Sequence, residues 1–173
     1  IGVLMFHFHR HGRHDRRHAR HELGPWERPG RGGRRGGGRV LDHGDLRLLT
    51  LNGRPLVVDG QYACFRRYND SGDARSNITA GGKVEMAVPD ADALRIAEII
   101  APKLMQDGMY LAGLDIVGDK MMEINVDTPG GINMAEELTG ADFSGHIVND
   151  LERKVELRDL YKRTLSNTEL AMM

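Results

Sequence analysis

Gly113-Leu114-Asp115-Ile116-Val117-Gly118-Asp119-Lys120-Met121-Met122-Glu123-Ile124-Asn125-Val126 decides how the chain is read. An apolar run meets a Gly-Asp turn and a second run returns, which is a β-hairpin. Asp115 sits between Leu114 and Ile116, and a carboxylate there is costly to bury without a partner. Glu123 and Asn125 alternate with Ile124 and Val126, so they share one face of their strand. A two-residue loop at Gly118-Asp119 pairs Val117 with Lys120 and sets Asp115 opposite Met122, with Glu123 on the other face. A three-residue loop, or an equivalent bulge, sets Asp115 opposite Glu123 and gathers all three polar groups. Oxygen ligands from two neighbouring strands suit Mg²⁺, which needs few protein carboxylates when phosphates complete its shell. The plain alternative is the solvated outer face of a sheet.

Working outward, Met109–Val117 and Met121–Val126 are the two hairpin strands. Leu46–Leu51 precedes Asn52-Gly53, the turn pair that tolerates positive φ at both positions. Leu56–Val58 returns, and Tyr62–Tyr68 is a third strand. Asp90 caps a helix whose face is Leu94, Ala97, Ile100, Ala101, Leu104 and Met105. Pro102 inside it should kink it, and Gly108 ends it. Asn133–Leu138 is a short helix. Asp142 caps a longer one with the stripe Ile147, Val148, Leu151 and Val155. The expectation is an α+β fold, mainly an antiparallel sheet with helices packed on one face. The folded unit spans 41–163, and 164–173 should fray.

Residues 1–40 differ from the rest. They hold ten of the 24 basic residues, all Arg, and three of the 25 acidic ones, a balance of +7. Residues 41–173 carry 14 basic and 22 acidic residues, a balance of −8. Six histidines from His7 to His21 and the run Gly30–Arg39 invite three readings: a divalent metal site, a flexible arm on nucleic-acid phosphates, and a phosphate cradle. With little to bury, the segment is expected to be a disordered low-complexity tail, or the out-of-frame product of a GC-rich gene. Nucleic acid is therefore an unfavoured partner. No apolar run approaches the roughly 18–20 residues of a membrane span. The single Cys64 excludes an intrachain disulfide and agrees with a cytoplasmic home.

A second polar constellation is Arg75-Ser76-Asn77 with Gly81-Gly82. Arg presents a planar charged fork to phosphate oxygens, Asn77 can hold a phosphate or substrate oxygen, and the glycines admit close backbone approach. An ordinary polar loop is the alternative. Arg47 and Arg67 lie on strands directed toward the same place, or are surface charges. Asp127-Thr128-Pro129-Gly130-Gly131 either presents backbone amides to a carboxylate or only joins sheet to helix. Cys64 and His146 read as structural.

Taken together, these residues resemble the C-terminal part of the ATP-grasp ligases, bacterial glutathione synthetases most closely. The resemblance runs from Gly44-Asp45-Leu46-Arg47 through Asn52-Gly53-Arg54-Pro55, Arg67 and Asp73–Gly82 to Gly113–Asp119 and Glu123–Pro129. It implies a partial ATP-grasp fold. It implies an enzyme that phosphorylates a carboxylate with ATP and joins it to an amine, here γ-glutamylcysteine and glycine. Asp115, Glu123 and Asn125 would hold Mg²⁺, with Mn²⁺ as a substitute. Arg75 would stabilise the phosphoryl group in transfer. Arg47, Arg67, Asn77, Gly81, Gly82 and the loop Asp127, Thr128, Pro129, Gly130, Gly131 would line the nucleotide and substrate sites. Another ATP-grasp ligase acting on a peptide has the same residues. Residues 1–40 do not match the family's substrate domain or its lysine-bearing nucleotide lobe. The isolated chain is thus expected to be inert, and an uncovered apolar surface favours a homo-oligomer.

Overall fold

A computed structural model of the chain describes residues 44–68, 82–126, 128–162 and 164–173. The expected tail at 1–40 lies outside them, as do Arg75, Asn77, Gly81 and Asp127. The strands are β1 (Asp45–Leu51), β2 (Arg54–Pro55), β3 (Val57–Val58), β4 (Gln61–Tyr62), β5 (Cys64–Tyr68), β6 (Lys83–Met86), β7 (Leu111–Val117) and β8 (Lys120–Val126). The helices are α1 (Ala91–Gln106), α2 (Ile132–Thr139), α3 (Phe143–Leu160) and α4 (Asn167–Ala171).

The main sheet runs β6-β5-β1-β7-β8, with β2 against β1, and all its pairings are antiparallel. This is the expected antiparallel α+β architecture. Every residue of β1 is buried, because β1 lies between β5 and β7 and is covered on both faces. Asn52 and Gly53 take φ of 53° and 73°, the positive pair the Asn-Gly signal predicts.

The helices do not all lie on one face. Leu46 and Leu48 point to the face that α1 covers with Ala93, Ala97 and Leu104. Leu49 and Leu51 point to the opposite face and pack with Ala135 of α2 and with Phe143 and Ile147 of α3. Strand alternation explains the split: β1 and β7 are apolar on both sides, so each side needs a cover. Asp90 caps α1 as expected, accepting from Ala93 N at 2.8 Å, and the helix continues through Pro102. Asp142 caps α3 by accepting from Gly145 N at 2.7 Å.

Two expectations about the C-terminal part change. The α3 stripe is not a core face: Ile147 is buried, but Val148, Leu151 and Val155 are exposed. The buried side of α3 carries Phe143, Ile147 and Lys154. The end expected to fray carries α4, opened by a capping box between Ser166 and Glu169 and anchored by buried Leu170. Lys154 explains both changes. Its Nζ donates to the carbonyls of Leu170 (2.9 Å) and Ala171 (3.2 Å) and lies 5.3 Å from the Tyr110 ring centre. A cation at the carbonyl end of α4 is electrostatically favoured, so a lysine becomes a buried clip. Among the described residues no helix is long and apolar enough to cross a membrane.

Asp150 steadies this clip, 3.4 Å from Lys154 Nζ. Burial alone would raise its carboxyl; the bonds from Arg153 and Asn52 and the charge of Lys154 outweigh burial and hold it below the usual range. A depressed carboxyl stabilises the fold above its ordinary pKa of 3.8, and that stability is lost as pH falls through the folded value. Asp150→Asn should therefore cost about 1 kcal/mol near neutrality. The gap to the parent chain in urea melts should close as the solution is acidified below the ordinary aspartate range. A gap that widens in acid contradicts this account.

Candidate functional site

The hairpin combines the two registers the sequence left open. Val117 pairs with Lys120 and Ile116 with Met121, as a two-residue loop requires. A bulge then intervenes, and Asp115 pairs with Glu123, Leu114 with Ile124 and Gly113 with Asn125. Met122 is the extra residue and is exposed. A bulge places two residues opposite one and shifts alternation by one step. Asp115, Glu123 and Asn125 therefore share a face. It is the face that carries α2 and α3.

Arg47 pairs with Asp115 in the neighbouring ladder, so Arg47, Asp115 and Glu123 form one row across β1, β7 and β8. Arg47 Nε donates to Asp115 Oδ1 at 2.7 Å and Nη2 to Oδ2 at 2.6 Å. Arg67, paired with Asp45, donates to the Asp45 carboxylate through Nε and Nη2. Its Nη2 also lies 2.8 Å from Asp115 Oδ2. Burial alone would lower the Arg67 guanidinium; its bonds to Asp45 and the charge of Asp115 hold it above its ordinary value. Asn125 Nδ2 donates to Asp115 Oδ2 at 3.1 Å. All four charges are nearly buried, with Asp115 4% exposed and Arg47 9%. Sequence reading missed Asp45. Its signal was the two-residue spacing to Arg47, which puts both on one strand face.

Among the remaining expected residues, Pro129 is buried and packs over Gly113, where a Cβ would be 3.3 Å from Pro129 Cβ. Thr128 is exposed, and its N–H donates to Val126 O at 3.0 Å. Gly130 O accepts from Arg47 Nη1 at 3.2 Å. Gly131 has φ 107°, and a Cβ there would overlap the ring of buried Phe65. The loop is thus fastened to the carboxylate row. Gly82 sits just before β6 on the sheet edge, and the rest of its constellation lies outside the described residues.

No group of three or more His, Cys, Asp and Glu side chains gathers for a metal among the described residues. A cation here would use Asp115, Glu123 and the amide oxygen of Asn125. The donors fit a hard divalent ion. Among the described residues the Glu123 side chain makes no hydrogen bond or ion pair, and Asn125 directs its Nδ2 to Asp115, which leaves its Oδ1 as an acceptor. Asp115 Oδ1 accepts one of these bonds and Oδ2 the others, so Oδ1 has the spare capacity. Cys64 takes no part: burial pushes its thiol up to about 12.

A sequence model of the prokaryotic glutathione synthetase, ATP-grasp domain, matches residues 39–140. The chain belongs to this family. The glutathione synthetase of Vibrio parahaemolyticus is 33% identical over 116 residues, which is 67% of this chain and 35% of that protein. The glutathione synthetase of Pseudomonas syringae is 35% identical over 120 residues, 69% of this chain and 36% of that protein. That of Synechococcus elongatus is 35% identical over 113 residues, 65% and 33% respectively. The chain thus spans about a third of the length of these curated relatives. The whole row, from Asp45 to the 128–131 loop, falls inside the ATP-grasp match, whereas α3 and α4 lie beyond it.

The bulge makes a prediction of its own. Deleting Met122 removes the extra residue without changing which residues face each other, so Asp115 should remain opposite Glu123. Inserting one residue at the same place should slip Glu123 and Asn125 to the α1 face. Interstrand NMR contacts between positions 115 and 123 check both. Loss of that contact in the deletion would refute the assignment of Met122 as the extra residue.

Proposed function

We propose that this chain supplies the metal- and phosphate-binding part of an ATP-dependent carboxylate–amine ligase, and that the reaction is glutathione synthesis. In that reaction ATP phosphorylates the glycine-accepting carboxylate of γ-glutamylcysteine. The amine of glycine attacks the acyl phosphate, an amide forms, and ADP and phosphate leave. The observation that carries the reading is the bulge-imposed row, with Asp115, Glu123 and Asn125 on one face of a chain from the glutathione synthetase ATP-grasp family.

Asp115, Glu123 and Asn125 would hold Mg²⁺, or Mn²⁺ in its place, which when bound neutralises phosphate charge on ATP. Arg75 would place its fork on the phosphoryl group as it moves between oxygens. Arg67, Asn77, Gly81 and Gly82 would border the phosphates. The loop Asp127 to Gly131 would meet the peptide substrate. Catalysis of this kind is chiefly positioning and charge neutralisation.

ADP release by the enzyme that contains this chain should require γ-glutamylcysteine and glycine together. Glu123→Gln should lower the rate at least about 100-fold, since the loss of one electrostatic contact at a transferring group is worth roughly 10²–10³. Turnover that ignores glycine but accepts a different amine, such as glutamate, would assign another peptide-modifying ligase. Calorimetry on the 173-residue chain alone should show no micromolar Mg-ATP binding, because each tenfold of affinity needs about 1.4 kcal/mol and the chain corresponds to a third of its relatives.

A further inference from the structure

Each of the three nitrogens of the Arg47 fork already has a partner within the protein, which takes three of its five N–H donors. Nε and Nη2 are spent on the two oxygens of Asp115, and Nη1 on the carbonyl of Gly130. The side chain is buried in the centre of the sheet, so it has little water to fall back on if one of these bonds is released. Arg67 also holds Asp115, but its other bonds go to Asp45 on β1. Arg47 is therefore the side chain that joins Asp115 to the 128–131 loop.

We propose that Arg47 is a positioning residue that couples occupancy of the Asp115 site by a divalent cation to the conformation of the 128–131 loop, and that it does not itself touch phosphate or substrate. This rests on the metal reading given above. The coupling follows from the sharing of one carboxylate. A divalent cation that shares Asp115 Oδ1 draws electron density from that oxygen and weakens the bond it accepts from Arg47 Nε. The guanidinium is planar and rigid, so a change at Nε moves Nη1, and with it the Gly130 carbonyl. The loop offers little resistance of its own at that point. Gly130 is exposed, while Pro129 and Gly131 on either side are packed against Gly113 and Phe65. A shift at Gly130 is thus confined between two fixed points and changes the direction of the peptide groups facing the site.

The test is a titration of the full chain with Mg²⁺ alone, followed by backbone amide NMR. In the parent chain, amide shifts should appear on β7 and β8 at Asp115, Glu123 and Asn125, and also at Gly130, Gly131 and Ile132. In Arg47→Lys the strand shifts should remain and the loop shifts should be lost, because an ammonium keeps the charge but cannot bridge Asp115 and Gly130 at once. In Arg67→Lys, which also removes a buried fork, the loop shifts should persist; a general loosening of the fold would act alike in both variants. Strand shifts without loop shifts in the parent chain, or loop shifts that survive in Arg47→Lys, overturn the coupling and leave the metal reading intact. The parent-chain comparison decides even if Arg47→Lys does not fold. No shift on β7 or β8 at any Mg²⁺ concentration overturns the metal reading and the coupling with it.

Discussion

The Asp115 carboxylate, gripped by Arg47 and Arg67 in the middle of the sheet, is the interaction on which the rest of the site depends. It ties β7 to β1 and β5 through side chains, on top of the ladders that already join them. Burying four charges costs several kcal/mol per ion before pairing, and only good geometry returns it. The geometry here is a two-pronged fork from Arg47, a second guanidinium from Arg67, and Asp45 to balance the count. Among the described residues, two positive and two negative groups meet there, and the neighbouring carboxylate in the row, Glu123, makes no ion pair.

The two faces of the sheet divide the work. On one, α1 lays small residues, Ala93 and Ala97, close against an apolar core. On the other, Phe65, Phe143 and Ile147 fill one end beneath α2 and α3, and the charged row occupies the other. The same strand, β1, contributes Leu49 and Leu51 to the apolar end and Asp45 and Arg47 to the polar end. A buried charge cluster beside an apolar core is well placed to keep its low-dielectric surroundings, where each charge–dipole contact is stronger than in water.

Much of the fold was legible. Asn52-Gly53, Asp90 and Asp142 signal locally, through positive φ or a side-chain oxygen one turn ahead of a helix, and each appears where its chemistry places it. The α3 stripe misled because Val148, Leu151 and Val155 have the right spacing but no partner surface. Periodicity reports a face, not what covers it. Lys154 and α4 were illegible for a related reason, since a lysine is buried only if distant carbonyls receive it. The carboxylate row was half legible. Alternation put Glu123 and Asn125 together, but a bulge at Met122 leaves no compositional mark, and the grip of Arg47 and Arg67 on Asp115 depends on strand neighbours far apart in sequence.

Gly131 and Phe65 are joined by shape in a way that bears on heredity. The ring occupies the volume any side chain at 131 would need, and the backbone there is in a conformation glycine adopts freely. The constraint runs one way. A side chain at 131 would be strained at φ 107° even if the residue at 65 were shortened, whereas the ring at 65 fits only while 131 stays glycine. Across related sequences glycine at the loop position should therefore hold even where the residue on β5, 66 positions away in the chain, changes size.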